Sequence, residues 1–516
     1  MIKYVLSMLS EGEKESDHET AIEMTSENVR IVSTETLVIQ PIETRKTLLD
    51  DFGFYETLLL FVTQVGYFPV AAAMLLTTYQ EPSKEWCAAL QNSTSSWTEA
   101  ENKEFYSLTA LYDRACKPDS NTTNTMMSSF LMWGAFVGSF VCGFLSDRFG
   151  RKPIYLGCLL MVSVGHLYIA TANLLNLPAL YAGLGVTGFF CGGYMVTNFV
   201  ILTEAFELPR SRLLVVSMNG WSVGMAVTAV VAMLTRNWFG YHLTFSAFGL
   251  MLTILSYALC FESCRWLSAN GKFREAKQTA LQIKSFNRKE IDVDEAIIYS
   301  WYEILGFTEP VCTNEKKNWK ALFKSSQFLK PTIVMFYSFL ASSIVSFGFY
   351  FSLDVLPGNR YHNMILMGLL KFGFGFIPFF ANNFLAKRTI AISSISLCCV
   401  CAFLILPIQF FNLTAYRWIV VFLVLIVSAG IDPTWKINHL YSAELFPTSV
   451  RSMARGVCNA GGRLGSVLAP MIVHFRDYSL FIPTTVFAVL LFVQLVVIFV
   501  FLPDDNDKEA NEMNDE

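Results

Sequence analysis

Between residues 57 and 502 the chain carries twelve apolar stretches of membrane-spanning length. They lie near 57–76, 127–146, 154–172, 178–202, 213–234 and 242–261, and then near 331–353, 363–381, 389–408, 418–440, 453–473 and 480–502. About 20 residues rising ~1.5 Å each cross the ~30 Å hydrocarbon core. Lipid offers backbone amides no water to bond, so each stretch must satisfy its own hydrogen bonds as a helix. Hydrophobic residues make up 53% of the chain and charged residues 16%, with 45 Phe, a balance that a soluble protein of this size does not need. These features predict an all-α polytopic membrane protein.

Lys and Arg set the orientation. The turns after spans 2, 4, 8 and 10 carry Arg148, Arg151 and Lys152; Arg210 and Arg212; Lys387 and Arg388; and Arg451 and Arg455. These turns are expected on the cytosolic side, together with both termini and the Lys/Arg-rich insert 262–330, where FREAKQTALQIKS has helical spacing. Residues 1–49 are acidic and rich in Ser and Thr, without periodicity, and read as a disordered cytosolic tail. The opening MIKYVLSMLS is too short for a signal-peptide core, and residues 503–516 form a second acidic tail.

Loop 77–125 is then extracellular, which gives meaning to its sequons at Asn92 and Asn121; a third, at Asn412, lies in a short turn close to the bilayer. Of twelve cysteines only Cys87 and Cys116 fall in that loop, and one external disulfide between them is expected. No Cys/His spacing suggests a metal, no phosphate-binding loop or nucleophile setting is visible, and no basic field for nucleic acid is present. No enzyme site and no cofactor are expected.

The two parts of the chain echo each other. TEAFELPRSR places Glu204 six residues before Arg210, and AELFPTSVR places Glu444 seven residues before Arg451; the two glutamates stand 240 positions apart. Two six-helix halves, 50–261 and 331–502, joined by the insert, are the natural reading. Such repeats hold a substrate site near the bilayer midplane.

GFLSDRFGRKP at 143–153 matches G-x-x-x-D-R-x-G-R-[RK] at every specified position. In this it resembles the cytoplasmic signature of the major facilitator superfamily. ESCRWLSANGKFREA at 262–276, YSAELFPTSVRSMARGVC and GGRLGSVLAP resemble the organic cation/anion/carnitine transporter family, with Cys264 in place of a usual Pro. The resemblance implies the major facilitator fold and a cytoplasmic gate built from Gly143, Asp147, Arg148, Gly150, Arg151, Glu204, Arg210, Glu444 and Arg451. Gly143 is read as allowing close helix approach and Gly150 a tight turn, while Asp147, Arg148 and Arg151 can join Glu204 in a charge network. The chain departs from the family at Asn383, Ala386, Lys371 and His439.

Arg463 is the leading site candidate. An unpaired Arg at bilayer depth costs at least ~2.5 kcal/mol and is kept where a cavity or a partner receives it. Asn459 and Ser466 share its helical face, while Gly461 and Gly465 form a G-x-x-x-G packing stripe. Cation-type relatives tend to carry an Asp near this point, and anion-type and carnitine-type relatives an Arg. Lys371 adds a second charge or pairs with an acid such as Asp432. Asp432 and Lys436, at i and i+4, form an ion pair or serve ion coupling. Tyr350 and Trp221, among further aromatics at Phe347, Phe349, Phe351 and Tyr194, are candidates for lining an apolar pocket.

The reading at this level is a plasma-membrane secondary transporter of small organic ions, with an anionic or zwitterionic, carnitine-like substrate. A coupling ion (proton, sodium or counter-anion) and the lipid bilayer are its other partners. A sugar-type proton symporter, or a transport-deficient receptor or scaffold of the same fold, are the alternatives.

Overall fold

The structure, a computed structural model, describes residues 29–30, 40–41, 52–82, 87, 105–206, 208–287, 326–411, 413–446 and 448–502. Residues 1–51 form a unit by themselves, of which only the antiparallel pair Val29–Arg30 and Gln40–Pro41 is described. The expected disordered tail otherwise lies outside the described residues, as do 503–516.

The second unit is helical. Among its described residues the twelve long helices are α1 (Phe54–Met74), α2 (Ser120–Phe149), α3 (Arg151–Ala170), α4 (Leu177–Ala205), α5 (Arg210–Thr235) and α6 (Trp238–Leu259), followed by α7 (Ser326–Phe351), α8 (Arg360–Ala381), α9 (Lys387–Phe410), α10 (Arg417–Glu444), α11 (Thr448–His474) and α12 (Phe481–Phe501). Among the described residues eleven are long and apolar enough to cross a membrane. The exception is α11, whose Arg, Asn and Ser residues dilute its apolar face. Between the halves lie two short helices, Cys264–Ala269 and Phe273–Phe286.

Burial recurs with a period of three helices. The apolar windows of α1, α4, α7 and α10 are 61%, 56%, 78% and 72% buried, against 33% for α6, α8 and α12. The first four therefore stand at the centre of the bundle, and the last three are the least covered by their neighbours.

Small residues set the tightest approaches. A Cβ on Gly461 would lie 2.2 Å from the Phe336 carbonyl oxygen, and one on Gly465 2.6 Å from that of Leu340, so the G-x-x-x-G stripe of α11 packs backbone to backbone on α7. In the first half the equivalent contact is made by Gly134 and Gly138, whose Cβ atoms would fall 1.9 and 1.8 Å from carbonyl oxygens of Gly185 and Phe189 on α4. Gly143 does not serve this purpose: its nearest neighbour would be Val196 Cγ1 at 3.6 Å, an ordinary contact. The close contact with α4 at this level is made by the neighbouring Cys142, whose Sγ would lie 2.6 Å from a Cβ on Gly193.

Helix α2 also starts seven residues earlier than its apolar stretch. Thr123 and Ser128 hydroxyls donate to the Asp119 and Asn124 carbonyls, and these local bonds carry the polar SNTTNT segment as helix. Loop 77–125 is shortened accordingly. Within it Cys87 and Cys116 are bridged, with Cα atoms 5.4 Å apart.

Candidate functional site

Three of the helices that meet near the bundle centre are interrupted. α1 turns at Gly66, α5 at Met218–Asn219 and α8 at Phe376. The α5 break follows from the Asn219–Gly220 pair, a strong turn signal, and the Gly220 amide, released from α5, donates to Gln64 Oε1 at 2.6 Å. Beside the breaks lies a cavity of about 150 Å³, room for about five water molecules at ~30 Å³ each.

Arg463, Lys371, Asn459, Tyr350 and Trp221 all line this cavity, as do Asp432 and Lys436. Ser466 does not: its hydroxyl donates back to the Arg463 carbonyl at 2.7 Å and it is buried. Sharing a helical face fixed its angular position but not its depth. Tyr194 is likewise spent on structure, donating to the Thr63 carbonyl at 2.8 Å.

The charged groups divide into two sets. Asp432 Oδ1 lies 3.5 Å from Lys371 Nζ, and Oδ2 lies 3.8 Å from Lys436 Nζ. Asn219, in the α5 break, donates to both oxygens at 3.3 and 3.4 Å, so this carboxylate is held from both halves. Lys371 further donates to the Ser428 carbonyl at 3.0 Å and lies 5.7 Å from the Tyr350 ring centre. Pro433, inside α10, has no amide to donate to the Ala429 carbonyl, one residue on from Ser428.

Arg463 stands apart. Among the described residues its side chain reaches one acceptor, the Met195 thioether at 3.2 Å, and sulfur there accepts weakly. Asp432 is the one acid among the described lining residues, and two lysines and Asn219 already occupy it. Three cationic side chains thus face the cavity against one carboxylate. Its walls are aromatic: Tyr67, Phe199, Trp221, Phe347, Tyr350 and Trp435.

At the Arg/Lys-rich end, Arg151 holds Glu204 with two bonds of 2.9 and 3.3 Å, pairs with Asp147, and reaches Ser146 Oγ at 3.3 Å. Glu262 caps the start of α3 by accepting the Arg151 and Lys152 amides at 2.8 and 3.2 Å. Gly150, at φ 113°, makes that turn; a Cβ there would strike Glu262 Oε2 at 2.5 Å. Trp266 Nε1 donates to the Asp147 carbonyl at 2.8 Å, so the ESCRWL segment is bolted to this network. Arg148 and Arg210 lie outside it. Arg148 is exposed over the Phe149 ring, and Arg210 lies 5.9 Å from the Phe379 ring of the other half. Arg148 lies in the last turn of α2 and Arg151 opens α3, so the Gly150 turn sends the two side chains apart. The side chains of Glu444 and Arg451 lie outside the described residues.

The opposite end is bridged across the halves. Asn121 Nδ2 donates to Asp477 Oδ2 at 2.7 Å, Arg360 donates to the Glu81 carbonyl, and Thr78 donates to that of Tyr350 at 3.3 Å. Arg476 donates to Asp354 at 2.7 Å, and Glu81 accepts from Ser120. The Asn121 amide nitrogen is therefore engaged in the contact between α2 and the segment after α11; Asn92 and Asn412 lie outside the described residues. Burial pushes the Glu81 carboxyl above its usual value, against the Ser120 hydroxyl and two nearby arginines. A raised carboxyl pKa favours the protonated folded state, so this group's contribution is full below about 4.5 and is lost as pH rises through the folded value. Glu81→Gln should abolish that decline: melting curves of wild type and variant converge at low pH, and the variant is the more stable at neutral pH.

No group of three or more His, Cys, Asp or Glu fit to hold a metal occurs among the described residues. Neither the α5 break with Asn219 nor the Glu81–Arg476 end was anticipated from sequence. The Asn-Gly pair was the available signal for the first; the second joins residues far apart in the chain.

The family model described as "Sugar (and other) transporter" matches residues 72–516. Solute carrier family 22 member 15 of Xenopus tropicalis is 27% identical over 386 residues, covering 70% of this chain and 66% of that protein; the match thus spans just under two thirds of the relative's length. Solute carrier family 22 member 11 of Homo sapiens is 26% identical, covering 81% and 77%, and organic anion transporter 3 of Oryctolagus cuniculus is 25% identical, covering 78% and 73%. Among solved structures, the inward-open xylose transporter XylE of E. coli superposes with a TM-score of 0.60 at 13% identity, over 87% of this chain and 97% of that one. At that identity the likeness establishes the fold.

Proposed function

Because the chain belongs to the sugar (and other) transporter family, in the major facilitator superfamily, we propose that it is a secondary transporter of small organic anions. It carries them across the plasma membrane by alternating access of its two halves around the central cavity. The Arg/Lys-rich end faces the cytosol with both termini, and the bridged end with loop 77–125 faces outward.

The observation that carries this reading is Arg463, a cavity-lining guanidinium whose acceptor among the described residues is a thioether. A carboxylate from solution supplies the missing charge and fits the guanidinium fork with two parallel bonds. Asp432, the acid a substrate ammonium needs, is already held by Lys371 and Lys436, which favours an anion over the zwitterion also suggested by the sequence. The aromatic walls suit a flat apolar body behind the carboxylate. A proton, sodium or a counter-anion completes the cycle as coupling ion.

Uptake of labelled urate, dicarboxylates, carnitine, tetraethylammonium and xylose into cells expressing the chain tests the proposal, with membrane potential, sodium and pH varied separately. Saturable uptake of anions with none of tetraethylammonium or xylose is expected. Preference for tetraethylammonium would overturn the charge argument, and xylose uptake indifferent to anions would make the protein a sugar symporter.

A further inference from the structure

We propose that Asp432, the Ser428 carbonyl and the Tyr350 ring form a latent binding site for a small alkylammonium ion, plugged in this chain by Lys371. The Lys371 ammonium makes the contacts that recognise a primary amine in solution. A carboxylate oxygen lies at 3.5 Å, a carbonyl oxygen at 3.0 Å and an aromatic ring centre at 5.7 Å. All three partners sit on helices other than the one that carries the lysine: Tyr350 on α7, Ser428 and Asp432 on α10, Lys371 on α8.

Removing the lysine side chain therefore leaves its receptor standing. Asn219 still orients the carboxylate through two donated bonds, and Lys436 stays farther off, at 3.8 Å. Both Lys371 and Asp432 line the central cavity, so the vacated channel opens to a space that a small solute can enter. The Lys371 ammonium acts as a tethered occupant that keeps cationic head groups out. This role holds whichever solute the protein carries.

The atoms deleted by Lys371→Ala beyond Cβ are those of n-propylammonium, which is the probe. In purified full-length Lys371→Ala, n-propylammonium chloride should raise the melting temperature saturably. The rise should be on the order of one to two degrees at tenfold excess over half-saturation. Wild type, whose site is filled, and Lys371→Met, whose uncharged chain fills the channel, should not respond. Neither n-propanol nor sodium chloride at equal concentration should replace the amine. If Lys371→Ala yields no folded protein by itself, expression and solubilisation with n-propylammonium should restore the yield. A response equal in wild type or Lys371→Met, an equal effect of n-propanol, or no response and no rescue would each overturn the proposal. None of these outcomes depends on uptake of an anion, so failure here is distinct from failure of the transport assignment.

Discussion

Replacing Arg463 with Ala is expected to cut organic-anion uptake by roughly 30- to 1,000-fold while surface expression stays normal. Removing one partner of a desolvated charge-assisted pair loses about 2–4 kcal/mol. Arg463 lines the cavity without a carboxylate neighbour among its described contacts, so its loss leaves no buried acid unpaired and should disturb folding little. Lys at this position keeps the charge but not the planar fork, and should retain an intermediate rate. Uptake kinetics in cells matched for surface protein check both variants. Unchanged uptake in Arg463→Ala would remove Arg463 from the substrate path.

The second large effect concerns stability. Asp432→Asn leaves the Lys371 and Lys436 ammoniums, with 4% and 7% of their side chains exposed, facing each other without a carboxylate. Breaking a buried ion pair by removing one partner costs about 3–5 kcal/mol, because the charge left behind stays desolvated. A marked fall in melting temperature of the purified variant is expected. Replacing all three charges with apolar residues of similar volume should recover most of the loss, a result that no purely local effect of the Asn would give. Equal stability of Asp432→Asn and wild type would mean that the lysines do not depend on Asp432 to offset their burial.

Much of the fold is written in the hydropathy of the chain. Spanning stretches must be helical in lipid, and the expected positions of all twelve are occupied by helices. The Gly461–Gly465 stripe was legible because small residues four apart make one helix face. Depth and direction were less legible. Ser466 shares a face with Arg463 yet turns its hydroxyl to its own backbone, since a serine in a helix can always satisfy itself locally. The pairing of Lys371 was open on sequence, because Lys371 and Asp432 lie 61 positions apart and no periodicity connects two helices. Asn219 is hard to single out because an Asn in an apolar run resembles a tolerated polar residue unless its neighbour Gly220 is weighed as a helix breaker. Gly143 illustrates the reverse: a signature residue suggested a close approach that Gly134 and Gly138 make instead.

The central claim is that the cavity takes its solute by a negative charge. The most direct measurement compares uptake of an aryl carboxylate with that of the corresponding uncharged carboxamide, into liposomes containing only the purified protein. The two solutes match in shape and differ in charge. The account predicts saturable uptake of the carboxylate at least ~10-fold faster than of the amide, in keeping with the ~1.4 kcal/mol or more that one charge-assisted contact contributes. Equal rates for the two solutes, or faster uptake of the amide, would contradict it.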